Sequence, residues 1–466
     1  MCGIFGGYNV TFKEVEKGIN LIKRGNDGIT ISELSEKKVY FAARRHAIKF
    51  SGNEDNLSGQ SDQPYFSKDR NIALIFNGEF YNFAQYKNKL IKDKINFKSK
   101  GDTEVLLKLY ESHGINFLRD KNIDALYSIA VYDKSLNKIF ITRDWPGRIP
   151  LYYYHERGKF IFSSELKALR AINGLSLQNP VELEPGKILE YDISKDKVNV
   201  VSDYNLEPYI SKNTNDILKL GEEMHAVLNE SARNRTMGDV PICTMLSGGI
   251  DSVLTTYYVL KNIEFDKVNY QPTSYVFRVK NFDSIDVKTA EVATEGFKKI
   301  GLKLKVIEAT EEQIVKDMPG IVETFEMRQL KALSFYPLPI YWYLAPEMHK
   351  DGFKVTIGGH GVDELLGAYT AWKELKTSHE AQIKLRSRKA FINNIYNNML
   401  KRASIIFMNR GPIEARFPFL NHEVCEFMLG IDPKWLSLNK VNAEIMLKII
   451  EESKLELILE KIYKNL

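Results

Sequence analysis

The chain has 466 residues, of which 27% are charged and 44% hydrophobic, a composition typical of globular proteins with room for two or three domains. Its net charge of +5 is spread along the chain, which argues against a nucleic-acid partner. The three cysteines have neither metal-ligand spacing nor a disulfide framework, no stretch approaches the ~20 apolar residues of a membrane span, and no signal peptide is recognisable. These features predict a cytoplasmic protein without nucleic-acid or membrane partners.

The first residues, 1–7, place a cysteine next to the initiator methionine, followed by a glycine-rich apolar run. If Met1 is removed, the α-amino group of Cys2, which titrates near pH ~8, can serve as the base that activates the thiol of the same residue. The alternative is an incidental cysteine in a disordered N-terminus. The apolar continuation is typical of a buried strand, which favours a catalytic nucleophile at Cys2.

The first domain, residues 1–205, is rich in predicted strands. Short β-branched and aromatic runs at 39–42, 72–76 and 139–142 are separated by Gly, Asn and Asp turns, and a helical pattern covers 103–112. Strand runs with helices between them predict an α+β domain of layered sheets.

The second domain, residues 206–466, has a different pattern. A helical period at 217–235 is followed by an apolar strand at 241–246, a glycine turn and another helix, and further strands are predicted at 273–279 and 354–357. Repeated strand–turn–helix segments are typical of a parallel sheet, so we predict an α/β domain.

The first glycine turn of this domain, 247–252, reads Ser-Gly-Gly-Ile-Asp-Ser. Its glycines let backbone N–H groups approach an anion, the N-terminus of the following helix adds a positive dipole, and Asp251 can bind Mg²⁺. The lysine of a GxxxxGK(S/T) loop is missing. The pattern therefore favours a pyrophosphate cradle in an enzyme that adenylates its substrate. An ordinary glycine turn capped by serine and aspartate is the alternative.

Cys2 and this loop, in one chain and in this order, resemble the glutamine-dependent asparagine synthetase family over nearly the whole sequence. The family joins a glutaminase of the N-terminal-nucleophile type, built of layered antiparallel sheets and helices, to an α/β ATP-pyrophosphatase domain that activates a carboxylate. The resemblance implies a glutamine-hydrolysing amide ligase of asparagine biosynthesis that uses ATP and Mg²⁺. Its substrates would be glutamine, ATP and a carboxylate acceptor, aspartate by default, and a homodimer is left open.

The segment 77–82, Asn-Gly-Glu-Phe-Tyr-Asn, is similar to the family's oxyanion-hole motif, in which the Asn side chain and the Gly amide stabilise the tetrahedral intermediate. The resemblance also places Arg45 against the α-carboxylate of glutamine and Asp102 against its α-ammonium group. Each has a simpler explanation, since Asn-Gly is a strong hairpin-turn dipeptide, Arg45 lies in a basic run, and Asp102 can cap a helix. Residues 22–27 and His46-Ala47 depart from the family pattern. The implied glutamine site comprises Arg45, Asn77, Gly78, Glu79 and Asp102.

The second domain resembles the family less closely. The residues that the resemblance assigns to ATP binding are Leu246, Ser247, Gly248, Gly249, Asp251, Ser252, Phe277, Gly358 and Gly359. Asp251 and Asp363 would bind Mg²⁺. The family's Ser-Gly-Glu-Gly-(Ser/Ala)-Asp-Glu motif reads Gly-Gly-His-Gly-Val-Asp-Glu at 358–364, so His360 stands where the family has a glutamate that assists acyl-adenylate chemistry. A neutral imidazole can act as a general base near pH ~7, but it cannot supply a fixed negative charge.

Three more positions bear on the second domain. Lys331 replaces a family arginine, Asn421 replaces an aspartate, and Lys464 falls where the family has a transition-state lysine. The changes leave three hypotheses open: aspartate is the acceptor, another carboxylate such as a sugar acid or small metabolite is the acceptor, or the chain is a glutaminase whose second domain has become a binding module. The implied catalytic residues are Cys2, Asn77, Gly78, His360 and Lys464.

Overall fold

The computed structural model describes residues 2–36, 38–48, 63–172, 180–203, 217–263, 270–326, 337–366 and 400–431. The chain packs as two compact units. The first comprises residues 1–205 with 322–329, and the second comprises 206–321 with 330–466. Within the described ranges, no helix is both long enough and apolar enough to cross a membrane.

The first unit contains two sheets in which the described strands pair antiparallel. These strands are β1 (Gly3–Tyr8), β2 (Gly28–Ser35), β3 (Val39–Arg45), β4 (Tyr65–Phe66), β5 (Ile72–Phe80), β6 (Ala125–Asp133), β7 (Lys138–Arg143), β8 (Tyr152–Glu156), β9 (Lys159–Ser163), β10 (Val181–Glu182), β11 (Ile188–Asp192) and β12 (Lys197–Ser202). One sheet has the order β10-β8-β9-β1-β3-β2 and the other the order β12-β11-β7-β6-β5-β4. Strand β1 therefore lies in the interior of its sheet.

Alternating side chains build the core of this unit. In β5, Ile75 packs with Ile4 and Phe162 of the other sheet, whereas Leu74 and Phe76 pack with helices on the opposite face. Helices cover the outer face of each sheet. They are α1 (Phe12–Leu21), α2 (Phe83–Lys92), α3 (Asp102–His113) and α4 (Leu166–Arg170). This layered arrangement confirms the predicted α+β class.

Residues 322–326 pack as part of the first unit. Glu326 accepts hydrogen bonds from the backbone N–H groups of Leu166 and Lys167, both at 2.9 Å. These two residues begin α4, and the first N–H groups of a helix have no partner inside it. Glu326 therefore caps α4 from a distant part of the sequence.

The second unit contains a parallel sheet. Its described strands are β13 (Ile242–Met245), β14 (Thr273–Val279), β15 (Lys303–Ala309), β16 (Val355–Ile357) and β17 (Glu414–Arg416), in the order β15-β14-β13-β16-β17. The helices described after residue 216 are α5 (Ile217–Arg235), α6 (Ile250–Asn262), α7 (Ile285–Gly296), α8 (Glu311–Phe325), α9 (Leu338–Lys350), α10 (Val362–Leu366), α11 (Lys401–Arg410) and α12 (His422–Gly430). The predicted α/β class is confirmed.

The order of this sheet reverses at β13, which has β14 on one side and β16 on the other. In open parallel sheets, ligands bind in the crevice outside the carboxyl ends of the strands at such a switch point. The loops that follow β13 and β16, at 246–249 and 358–361, are therefore the positions where the topology alone predicts a ligand.

Candidate active sites

Cys2 lies directly before β1, whose first residue, Gly3, pairs with Arg44 of β3. The Sγ atom of Cys2 accepts a hydrogen bond from the backbone N–H of His46 at 3.4 Å. Cys2 also lines a cavity of about 270 Å³. The alternative of a disordered N-terminus is therefore wrong, because an interior strand holds the thiol at the wall of a cavity.

Arg45 and Asp102 line the same cavity as Cys2. Arg45 is the last residue of β3 and Asp102 is the first residue of α3. The Oδ2 atom of Asp102 accepts a hydrogen bond from the backbone N–H of Phe80 at 3.1 Å. Asp102 is not the N-cap of the helix, which is Gly101, so that explanation of the aspartate is wrong. One cationic and one anionic side chain thus share a cavity with the thiol.

Asn77 and Gly78 lie inside β5, where they pair with Ser128 and Tyr127 of β6. The explanation of this dipeptide as a hairpin turn is therefore wrong. Gly78 lines the cavity, as does its neighbour Glu79. A Cβ atom on Gly78 would lie 1.9 Å from the carbonyl oxygen of Leu126, so β6 leaves no room for a side chain at this position.

The side chain of Asn77 is fully buried and is not among the groups that line the cavity. Its Nδ2 atom lies 3.4 Å from Oγ of Ser164, which also accepts the backbone N–H of Ile4 at 2.9 Å. Within the described residues, Oδ1 of Asn77 has no hydrogen-bond partner. Turning the amide by 180° would let the Ser164 hydroxyl donate to Oδ1 and would place Nδ2 where the unpartnered atom now lies.

Four residues of this site were not assigned a role from the sequence: Asp27, His46, Gln63 and Ser164. Asp27 accepts the backbone N–H of Ala47 at 2.7 Å, and its carboxylate lies 3.9 Å from Nδ1 of His46. Gln63 uses both ends of its amide on the backbone of Phe76, at 2.6 and 2.9 Å. No local pattern in the sequence reveals contacts between residues so far apart in the chain.

The loop after β13 is held by contacts with its neighbours. Gly248 has a φ of +80°, and a Cβ atom there would lie 2.3 Å from the carbonyl carbon of Thr289, so both conformation and space require glycine. Thr289 Oγ1 donates to the carbonyl oxygen of Ser247 at 2.7 Å, and Ser252 Oγ donates to that of Gly249 at 2.8 Å. Gly249 is the N-cap of α6, so the loop presents the N–H groups and dipole of a helix of 13 residues, which suit an anion.

Asp251 lies in the first turn of α6, beside the loop that follows β16. A Cβ atom on Gly359 would lie 2.7 Å from the carbonyl oxygen of Asp251, so the two loops are in close contact. Burial, together with the charges of Asp363 and Glu364, raises the pKa of Asp251 well above its usual range. Neighbouring carboxylates of this kind are stabilised by a bound cation.

The residues present fit Mg²⁺. This ion is commonly held by one or two carboxylates together with phosphate oxygens and water, and Asp251 and Asp363 offer two carboxylates beside the loop of the second unit. In the described part of the chain, no group of three or more His, Cys, Asp or Glu residues is arranged as a complete metal site. The remaining ligands would therefore have to come from water and from a nucleotide.

A second cavity, of about 310 Å³, lies at this edge of the parallel sheet. Phe277 lines it and stacks on Tyr343, with ring centroids 5.6 Å apart. His360 and Asp363 line it as well. The residues predicted to bind ATP that line the cavity are Leu246, Ser247, Gly249, Asp251, Ser252, Phe277 and Gly359. Gly248 and Gly358 belong to the same two loops but are not among the lining residues.

The departure at Asn421 has a structural explanation. Asn421 is the N-cap of α12, and its Oδ1 accepts the backbone N–H groups of Glu423 and Val424 at 2.7 and 3.3 Å. Aspartate, the residue usual in the family, caps helices equally well. The replacement therefore preserves the contact. Lys331 and Lys464 lie outside the described residues.

Comparison with known proteins finds two family models along the chain. The model of the glutamine amidotransferase domain matches residues 1–201, and the model of asparagine synthase matches residues 223–404. The first match covers the unit with the Cys2 cavity, and the second covers both loops of the parallel sheet.

Several relatives align with most of the chain. A probable glutamine-hydrolyzing asparagine synthetase of Dictyostelium discoideum is 27% identical over 80% of this chain and 65% of its own length. Asparagine synthetase B of Escherichia coli strain K12 is 26% identical over 93% of this chain and 76% of its own length. A putative glutamine-hydrolyzing asparagine synthetase of Methanocaldococcus jannaschii is 29% identical over 79% of this chain and 66% of its own length. The chain thus spans about two thirds to three quarters of the length of these relatives.

Proposed function

Because the chain belongs to the glutamine-dependent asparagine synthetase family, we propose that it hydrolyses glutamine at Cys2 and uses the ammonia to amidate a carboxylate that it has adenylated with ATP. Aspartate is the proposed acceptor and asparagine the proposed product. The observation that carries the proposal is the Cys2 cavity, in which a thiol, the cation of Arg45 and the anion of Asp102 face one space the size of a small ligand.

In the glutaminase step, the α-amino group of Cys2 takes the thiol proton, and the thiolate attacks the amide carbon of glutamine. The tetrahedral intermediate collapses to a γ-glutamyl thioester, and the proton passes to the departing ammonia. Water then hydrolyses the thioester. Arg45 binds the α-carboxylate of glutamine and Asp102 its α-ammonium group, so the pair fixes the amide in front of Cys2.

The oxyanion of the intermediate is stabilised by the backbone N–H of Gly78 and by Nδ2 of Asn77. Support for Gly78 comes from its place in the cavity wall, where pairing with β6 fixes its backbone. Support for Asn77 comes from its unpartnered buried atom and from Ser164, whose hydroxyl can donate to the Asn77 carbonyl once the amide is turned. Glu79 completes the glutamine site in this proposal.

In the synthetase step, ATP binds to the loop 246–252 with its phosphates at the N-terminus of α6, next to Phe277, Gly358 and Gly359. Asp251 and Asp363 would hold Mg²⁺, which neutralises the charge that develops on the pyrophosphate leaving group. His360, at the wall of the same cavity, is the proposed general base for the acceptor side. Lys464 keeps its proposed catalytic role from the resemblance alone.

Exchange of labelled pyrophosphate into ATP tests the acceptor directly. The purified protein is assayed with aspartate and with a panel of other acids, and the amide product is identified by mass spectrometry with amide-¹⁵N glutamine. Exchange that depends on aspartate is the expected result. Exchange that depends only on another acid would make that acid the acceptor. If no acid supports exchange in a preparation that hydrolyses glutamine, the second unit would be a binding module.

The cytoplasm is the proposed compartment, because the three cysteines of the sequence form no recognisable disulfide framework, as expected in a reducing environment. Formation of a homodimer stays a prediction, which sedimentation of the purified protein would test.

A further inference from the structure

The imidazole of His360 is held from several sides. Its Nε2 atom lies 2.7 Å from the hydroxyl oxygen of Tyr341, which is a hydrogen-bonding distance. The ring also packs edge-on against Phe417, with centroids 5.0 Å apart. Tyr341 lies on α9, is only 5% exposed, and packs on Phe407. A buried tyrosine thus presents its hydroxyl to the imidazole.

Gly358 lies directly beside the imidazole ring. A Cβ atom on Gly358 would lie 3.0 Å from Nδ1 and 3.4 Å from Cε1 of His360. The same atom would lie 2.4 Å from the terminal methyl of Met245, which is flexible enough to move. Gly358 is not among the glycines with positive φ, so its backbone does not require glycine. A side chain at this position would therefore require both the Met245 methyl and the imidazole to shift.

The charges of the residues that line the cavity determine how an imidazole at position 360 differs from a carboxylate there. The charged side chains among the described lining residues are all acidic: Asp251, Asp286, Asp363 and Glu364. Those carboxylates that are ionised and not neutralised by a metal would repel a carboxylate acceptor that enters this space. An imidazole at position 360 adds no fixed negative charge and, when protonated, attracts the acceptor. We therefore expect the orientation of the imidazole to matter for an anionic acceptor bound beside it.

We propose that Tyr341 is a positioning residue for His360, that Gly358 leaves the room the ring needs, and that the three residues act as one unit on the acceptor side of the cavity. The inference rests on the proposed amide-ligase function. It also makes the departures at positions 358 and 360 a single linked change, because the serine usual at 358 and the imidazole at 360 compete for the same space.

The first test replaces Tyr341 by phenylalanine, which keeps the ring and removes the hydroxyl. We expect kcat/KM for the acceptor to fall on the order of 5- to 10-fold, the scale of one lost hydrogen bond, with the KM for ATP unchanged. The ¹⁵N resonances of the His360 ring should shift. The matched control is Tyr258→Phe, which removes a similar bond at 2.9 Å, from the Tyr258 hydroxyl to His225 Nδ1, outside the cavity. The proposal is overturned if the His360 resonances do not move in Tyr341→Phe, or if Tyr258→Phe changes acceptor kinetics equally.

The second test needs no activity and therefore separates this inference from the proposed function. Gly358→Ser is made in the native chain and in His360→Ala, and the melting temperatures of the four proteins are compared. Gly358→Ser should lower Tm clearly in the presence of His360 and much less in its absence. Equal losses in both backgrounds would contradict the linkage, whether or not any acid supports pyrophosphate exchange.

Discussion

The two candidate sites place their chemical groups by different means. In the first unit, Cys2 and Gly78 belong to or adjoin interior strands, and the register of those strands fixes their positions. In the second unit, the loops 246–249 and 358–361 follow strand ends, and close contacts among glycines and neighbouring side chains fix them. A sheet interior tolerates few replacements, whereas a loop at a strand end can change side chains while the strands stay in place. Accordingly, the departures at Gly358 and His360 lie in the loop 358–361, which follows the end of β16.

The largest expected effect separates the two sites completely. Cys2→Ala should abolish glutamine hydrolysis, because nucleophile and base lie in one residue, while ammonium salts still support amide synthesis. Product assays with glutamine and with ammonia as alternative nitrogen sources measure both. Mass spectrometry of the native protein should show Met1 removed. Full glutamine hydrolysis by protein that retains Met1 would contradict this mechanism.

The second prediction concerns Asp251, the proposed metal-binding carboxylate of the second unit. Asp251→Asn should eliminate ATP-dependent synthesis, since a pyrophosphate leaving group needs a metal to neutralise its charge, and glutamine hydrolysis should persist. Asp283→Asn is the control, because Asp283 is exposed and forms a surface ion pair with Lys288. Loss of glutamine hydrolysis in Asp251→Asn would contradict the independence of the two sites.

A finer test concerns the roles of two residues at the first site. Asn77→Ala should lower kcat for glutamine ~10²–10³-fold, the scale for losing one oxyanion donor, with a smaller change in KM. Arg45→Ala should mainly raise KM, because it contacts a group remote from the reacting carbonyl. Steady-state kinetics distinguish the two. The same balance of effects in both variants would show that the roles are assigned wrongly.

The smallest expected effect concerns Asn421, whose replacement of the family's aspartate should leave stability almost unchanged. Asn421→Ala should lower the free energy of unfolding by ~1 kcal/mol, because α12 loses its N-cap, whereas Asn421→Asp should cost little. Denaturant titrations of both variants measure this. If Asn421→Asp destabilises as much as Asn421→Ala, the cap does not explain the replacement.

The sequence predicted both fold classes, because strand runs and strand–turn–helix repeats are local patterns. The helix at 217–235 was placed at its observed bounds, and the strand predicted at 354–357 begins one residue later, at Val355. Local patterns could not show that Asn77-Gly78 lies inside a strand, since that depends on pairing with β6. Nor could they reveal Ser164 beside Asn77 or Tyr341 beside His360, because such contacts arise only when distant segments pack.

The cap on α4 has a consequence for dissecting the protein. Glu326, which satisfies the first N–H groups of that helix, lies far beyond the stretch 1–205 that forms the rest of the first unit. A gene truncated after codon 205 would therefore encode an incomplete unit, with exposed amides at α4 where the intact chain has a carboxylate. A glutaminase unit that retains residues 322–326 is therefore expected to be more stable than one that ends at residue 205, because contiguity in sequence does not define this unit.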